Sequence, residues 1–169
     1  MRYLNKIVFI NSAAIRYSEV QLDGNIHLIG TQGVGKSTIL RAILFFYNAD
    51  TQRLGIPVEK KSYQDYYFPY ADSSIIYEVA REDGWFTVLS YKTMNRICYR
   101  FIASPYRPDL FIDEEGAPYP SDRIRSVLDK NGIKYSGAIS TYEEYRNILY
   151  GNSDNKRDYS CYSLMESGS

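Results

Sequence analysis

The chain has 169 residues, 44% of them hydrophobic, which is enough for one ordinary domain with a sizeable core and too apolar for a disordered segment. Lys plus Arg equal Asp plus Glu at 20 each, so no net basic charge recommends nucleic acid or a membrane, a local patch apart. His27 as the only histidine, with Cys98 and Cys161 far apart, argues against a zinc site and against a Ser-His-Asp triad within the chain. The two thiols fit a reducing cytoplasm and also permit a single disulfide. No stretch approaches the ~18 apolar residues of a membrane span, and the N-terminal apolar run is too short for a signal peptide, so a cytoplasmic location without membrane contact is expected.

Taken in chain order, residues 6–10 (KIVFI) read as a short buried strand. Residues 17–22 alternate Tyr17, Glu19 and Gln21 with Ser18, Val20 and Leu22, a second strand. Asp23-Gly24 is a turn dipeptide expected to close a hairpin into a strand over 25–29. Residues 36–47 (KSTILRAILFFY) predict a helix whose buried stripe would be Ile39, Leu40, Ile43, Leu44 and Tyr47. A polar connection follows, rich in tyrosine (Tyr63, Tyr66, Tyr67, Tyr70) and poor in periodicity. The chain holds 18 tyrosines, and core and sheet packing accounts for most of them.

Short strands over 75–79, 86–91, 97–102 and 110–112 come next, joined by connections too short for parallel crossovers. A helix containing Ile124, Val127 and Leu128 is expected, capped by Ser121 and ended by Asn131-Gly132. A last helix is expected after Thr141, with Glu144 completing a capping box and Tyr145, Ile148 and Leu149 facing inward. The reading is one α/β domain over 1–166, with 167–169 an artificial end or linker.

One motif carries chemistry. Gly30-Thr31-Gln32-Gly33-Val34-Gly35-Lys36-Ser37 satisfies G-x-x-x-x-G-K-[ST] in full, between an expected strand and an expected helix. Its glycines let backbone N–H groups turn toward phosphate oxygens, and the helix adds its positive end. The expected phosphate-binding residues are Gly30, Gln32, Gly33, Val34, Gly35, Lys36, Ser37 and Thr38. Lys36 would reach the β- and γ-phosphates and Ser37 would ligate magnesium.

Hydrolysis needs more than this loop. Residues 110–114 (LFIDE) have the form of a Walker B strand, yet Asp113-Glu114-Glu115-Gly116 also makes an ordinary turn, which is the stronger reading. The alternative of a self-contained GTPase switch would use Asp113 in D-x-x-G and Asn155, Lys156, Arg157 and Asp158 as N-K-x-D. The polar residues 151–154 precede that second pattern where a buried strand should end.

The opening 55 residues resemble the N-terminal head segment of the SMC, RecN and RecF class of ABC-type ATPases. The resemblance rests on the paired-strand opening, the loop GTQGVGKS and the helix TILRAILFFYNAD, and extends more weakly to about Tyr150. Within that class the chain is most similar to bacterial MukB-like and JetC-like SMC proteins. Thr31-Gln32 departs from the Pro-Asn or Thr-Asn of many such heads.

The resemblance implies a P-loop NTPase fold of ABC head type, a mixed sheet with an antiparallel meander and flanking helices. This chain would be lobe I, and a C-terminal half beyond a long coiled coil would supply the signature motif, the true Walker B strand and the catalytic glutamate. It implies ATP and magnesium as ligands, a second head as homodimer partner, DNA, and kleisin-type subunits. No residue of this chain would then be catalytic, and hydrolysis would need the complete dimeric head. It also places Arg16 or Tyr17 near the base and Arg53 toward nucleotide or DNA, where solvated surface side chains are the competing reading. A non-catalytic nucleotide-dependent interface module stays open, and a kinase-type transferase ranks last. Lys60, Lys61, Arg96, Arg100 and Arg107 could add positive surface or simply face solvent.

Overall fold

The computed structural model describes residues 1–22, 28–29, 35–48, 63–152 and 159–165. Six strands, β1 (Tyr3–Ser12), β2 (Ile15–Leu22), β3 (Leu28–Ile29), β4 (Ser74–Arg81), β5 (Gly84–Thr93) and β6 (Arg96–Ile102), form one sheet in the order β3-β2-β1-β4-β5-β6. Every pairing among them is antiparallel. The parallel member that a mixed sheet requires is therefore not among the described strands.

Side-chain alternation divides the core in two. Ile7, Phe9, Val20, Ile75, Tyr77 and Phe101 face a cluster completed by the helices α1 (Lys36–Asn48), α2 (Tyr63–Tyr67) and α4 (Tyr142–Leu149). Val8, Ile10, Ile76, Leu89 and Ile102 point the other way, onto Ile124 and Leu128 of α3 (Ser121–Lys130). The central strand β4 is covered on both faces, which explains its near-continuous apolar run. Its Glu78 is buried and stays satisfied by accepting from Asn5 Nδ2 at 2.8 Å and from the Tyr106 N–H at 2.7 Å.

The edge at β6 is covered by residues 134–139. Tyr99 and Ile139 exchange both backbone bonds, at 2.9 and 2.8 Å, and the Ser136 hydroxyl accepts from the Phe101 N–H at 3.0 Å. α3 ends at Asn131-Gly132 as the sequence indicates, and α4 ends in the same manner. Gly132 and Gly151 take left-handed φ of 66° and 71°, closing each helix with the paired bonds of a Schellman motif: Ile133 N–H to Leu128 O with Gly132 N–H to Asp129 O, and Asn152 N–H to Asn147 O with Gly151 N–H to Ile148 O. The Thr141 hydroxyl caps α4 by accepting from the Glu144 N–H at 3.2 Å.

Four expectations change. Ser121 is the first helical residue of α3, not its cap; Pro120 holds the cap position in an extended conformation, with no side-chain bond. The strand expected over 110–112 is a 3-10 turn (Pro108–Leu110) followed by a lone bridge from Ile112 to Pro118. Pro108 supplies the fixed φ that starts such a turn. In α1 the buried face is Ile39, Ala42, Phe45 and Phe46, whereas Leu40 and Leu44 stand 41% and 46% exposed. The tyrosine-rich connection contains α2, whose Tyr63 and Tyr67 are buried one turn apart. Cys98 and Cys161 are both free thiols.

Candidate nucleotide-phosphate site

β3 pairs with β2 through Gln21 with Ile29 and Leu22 with Leu28, so the strand expected before the glycine-rich loop is in place as the outer strand beside β2. Gly30, Gln32, Gly33 and Val34 lie outside the described residues, as do Arg53 and residues 155–158. On the far side of the loop, the hydrogen-bond ladder of α1 opens with the Ile39 N–H donating to Gly35 O at 3.2 Å. Gly35 is thus the cap position, and the N–H groups of Lys36, Ser37 and Thr38 head the helix with no carbonyl of their own helix to meet. The first turn carries no acidic side chain to compensate that positive end. Gly35, Lys36 and Ser37 are exposed and Thr38 is half-buried. An oxyanion approaching here would meet backbone donors, an ammonium and two hydroxyls.

Magnesium would take the Ser37 hydroxyl as its protein ligand in this turn. That is compatible with an ion that keeps several waters and takes its other ligands from substrate phosphates. Among the described residues no group of three or more His, Cys, Asp or Glu is placed to hold a metal.

The turn is gripped from behind by α2. The Tyr67 hydroxyl donates to Thr38 O at 2.7 Å, and the Tyr66 hydroxyl lies 3.3 Å from Thr38 Oγ1. Tyr67 stacks on Tyr63 with centroids 4.2 Å apart, and Tyr63 stacks on Phe45 of α1 at 4.5 Å. Burial pushes the Tyr67 hydroxyl well up from its ordinary pKa, which keeps it a neutral donor. Reading the tyrosines as packing residues missed this grip. The available signal was Tyr63 and Tyr67 at i, i+4, the spacing of one helix face.

The remaining candidates divide. Arg16 borders an open groove of about 500 Å³ with Asn11, Ala14, Ile15, Tyr70 and Asp72, so the connection that holds Thr38 also contributes to Arg16's surroundings. Tyr17 is set apart. It pairs across the strands with Ile10 on the sheet face opposite α1, and its hydroxyl meets Tyr106 at 2.7 Å and donates to Glu19 at 2.9 Å. Burial first, and then Glu19, push its pKa up to about 12. Asp113 turns Oδ1 onto its own loop, accepting from the N–H groups of Glu115 and Ala117 at 2.9 Å each. That turn follows Phe111 and Ile112, which pack on the α3 side of the sheet, away from Lys36.

Of the basic residues, Arg100 is buried, donates to Ser136 O at 2.6 Å and lies over the Tyr135 ring at 5.4 Å. Arg107 pairs with Asp109 at 2.7 Å. Arg96 is exposed, and Lys60 and Lys61 lie outside the described residues. Among the described residues no helix is long and apolar enough to cross a membrane.

Fold and site together define a small α/β domain: an antiparallel sheet whose outer strand β3 precedes a glycine-rich loop and a helix with no acidic residue in its first turn. The chain belongs to the family described as "Protein of unknown function (DUF3584)", whose model matches residues 11–164. No curated protein and no solved structure matches it.

Proposed function

We propose that this chain binds the phosphates of ATP with magnesium, as the N-terminal half of an SMC-like ATPase head that acts on DNA. The observation that carries the reading is the position of Lys36 and Ser37: the last two residues of a complete P-loop pattern are the first two of α1, directly after Gly35 and on its exposed, positive end. Gly30, Gln32, Gly33, Val34 and Gly35 would supply backbone donors, Lys36 would balance the β- and γ-phosphate charge, and Ser37 would hold the metal. Magnesium would neutralise developing charge on the phosphate oxygens. Arg16, in its groove, and Arg53 are the candidates of this chain to approach the rest of the nucleotide.

Turnover on this reading belongs to the complete cytoplasmic assembly. The C-terminal half of the head would bring the catalytic glutamate, and a second head would close over the nucleotide. DNA and kleisin-type subunits enter through the resemblance of the loop, the paired-strand opening and the helix to SMC heads. The engagement of Asp113 in its own turn weighs against its use on a metal and so supports a missing half over a self-contained GTPase.

Calorimetric titration with ATP and with GTP, in magnesium, beside Lys36→Ala, tests the reading. ATP binding that disappears in the variant is the expected result. Tight GTP binding with ATP refused would transfer the case to Asn155, Lys156 and Asp158 and a GTPase switch. Equal binding by wild type and variant would remove the phosphate site altogether.

A further inference from the structure

Thr38 is held at two atoms by two consecutive residues of a distant segment. Tyr67 takes its carbonyl, and Tyr66 faces its hydroxyl. The rings of Tyr66 and Tyr67 meet edge to face, 4.8 Å apart at 87°, so the buried Tyr67 fixes where the half-exposed Tyr66 stands. A threonine inside a helix commonly turns its hydroxyl back onto a carbonyl of the preceding turn, which uses up its only proton. Here Thr38 Oγ1 stands 4.0 Å from the place a Cβ on Gly35 would occupy, over the junction between loop and helix.

We propose, resting on the phosphate reading above, that Tyr66 is a positioning residue for that site: it engages the Thr38 hydroxyl so that the pair presents one O–H to a nucleotide phosphate. Two hydroxyls carry two protons, and one proton suffices to bridge them. Whichever oxygen donates within the pair, the other proton is left for an acceptor. A phosphate oxygen accepts only, and at the head of α1 it would lie within the field of the Lys36 ammonium and the open N–H groups. The 3.3 Å separation is long for an O–H···O bond, and an anion drawing on the leftover proton would polarise the pair and shorten it. The tyrosine thereby ties nucleotide binding to the segment 63–73. The Tyr70 N–H donates to Ser73 Oγ at 2.9 Å, and Ser73 Oγ donates in turn to Asn11 O beside the Arg16 groove.

The test is a double-mutant cycle on the 169-residue chain, with ATP affinity read by calorimetry for wild type, Tyr66→Phe, Thr38→Val and the double variant. Lys36→Ala and Thr38→Ser run beside them, and thermal melting is recorded for each. Tyr66→Phe should weaken ATP roughly two- to tenfold, the value of one neutral hydrogen bond, with an unchanged melting temperature. The double variant should bind no more weakly than Thr38→Val, because without the Thr38 hydroxyl the Tyr66 hydroxyl has nothing to aim. Thr38→Ser keeps the hydroxyl and should keep the Tyr66 effect, whether or not valine disturbs the helix. Wild-type affinity in Tyr66→Phe while Lys36→Ala loses binding would overturn this inference and leave the phosphate reading standing. Additive losses in the cycle would overturn it too. A wild-type chain whose binding is absent or indifferent to Lys36→Ala would take both down.

Discussion

Gly35 is the residue at which structure and chemistry separate most clearly. Its φ lies outside the left-handed region, and among the described residues a Cβ added there would meet nothing nearer than Thr38 Oγ1 at 4.0 Å. Neither its backbone conformation nor a described neighbour calls for glycine at this position; close approach of a phosphate to the backbone would. Gly35→Ala should therefore melt close to the wild-type temperature, a gain of about 0.5 kcal/mol from the restricted unfolded chain being offset by alanine's poorer fit at a helix cap. Its ATP affinity should fall on the order of tenfold or more. A variant that loses stability along with binding would return Gly35 to a structural role. The phosphate pattern was legible in the sequence because its logic is local, eight consecutive residues with a strand before and a helix after. The Tyr66–Thr38 pair was not, because 28 positions separate its members and only packing brings them together. Tyr17 shows the same limit from the other side. Its nearness in sequence to Arg16 says nothing of the opposite sheet face to which pairing with Ile10 assigns it.

At the scale of elements, α1 is fastened along a line. The carbonyls of Thr38, Ala42 and Phe46, spaced by four, receive the hydroxyls of Tyr67 at 2.7 Å, Tyr77 at 2.9 Å and Tyr145, and the neighbouring Tyr47 O receives Tyr150 at 2.8 Å. The Thr38 and Ala42 carbonyls also accept within the helix, so there the tyrosines use second lone pairs, whereas Phe46 and Tyr47 belong to the last turn, whose carbonyls have no donor further along α1. The effect is to fix the helix against rotation and sliding, which sets where Lys36 and Ser37 stand. Tyr77→Phe should cost about 1 kcal/mol in denaturant unfolding for the bond to Ala42 O, which keeps its helical donor, and up to about 3 kcal/mol in all because the buried Tyr63 hydroxyl loses the Tyr77 hydroxyl beside it. An unchanged stability would mean that neither contact holds α1 in place. This fastening also explains why the sequence misjudged the buried face of α1. Six apolar residues run together from Ala42 with Ile39 and Leu40 just before, so periodicity permits several faces, and the tyrosines of β4, α2 and α4 select one that leaves Leu40 and Leu44 outward. The short strands and α4 were legible because turn residues bound each apolar run and a Thr cap opens the helix. The turn after Pro108 was not, because its three apolar residues are buried by tertiary contacts that a strand would bury equally well.

For the whole molecule, the consequence of so many tyrosines is a core that resists alkali only while it stays folded. Tyr63, Tyr77 and Tyr145 each have a pKa pushed well above the ordinary 10.0, in every case mainly by burial and then by neighbouring tyrosines. Their phenols remain protonated in the fold, whereas in the unfolded chain they would ionise near 10. Folded pKa values above unfolded ones mean that the native state binds more protons in that window, so stability is fully present below about pH 10 and declines as the pH rises through and beyond it. Several such groups share one cluster around α1, and each lost proton would place a charge among buried rings rather than in water. Ionisation of the buried phenols and collapse of the core should therefore be one event. In a spectrophotometric titration these tyrosines should ionise in a steep step that coincides with loss of far-ultraviolet circular dichroism. Tyr77→Phe should move that step to higher pH relative to its own neutral-pH stability, since one ionising group has been removed from the unfolded chain. Gradual tyrosinate formation in a chain that keeps its secondary structure would show that the cluster admits water, and the tight hold on α1 argued from its hydroxyls would fail with it.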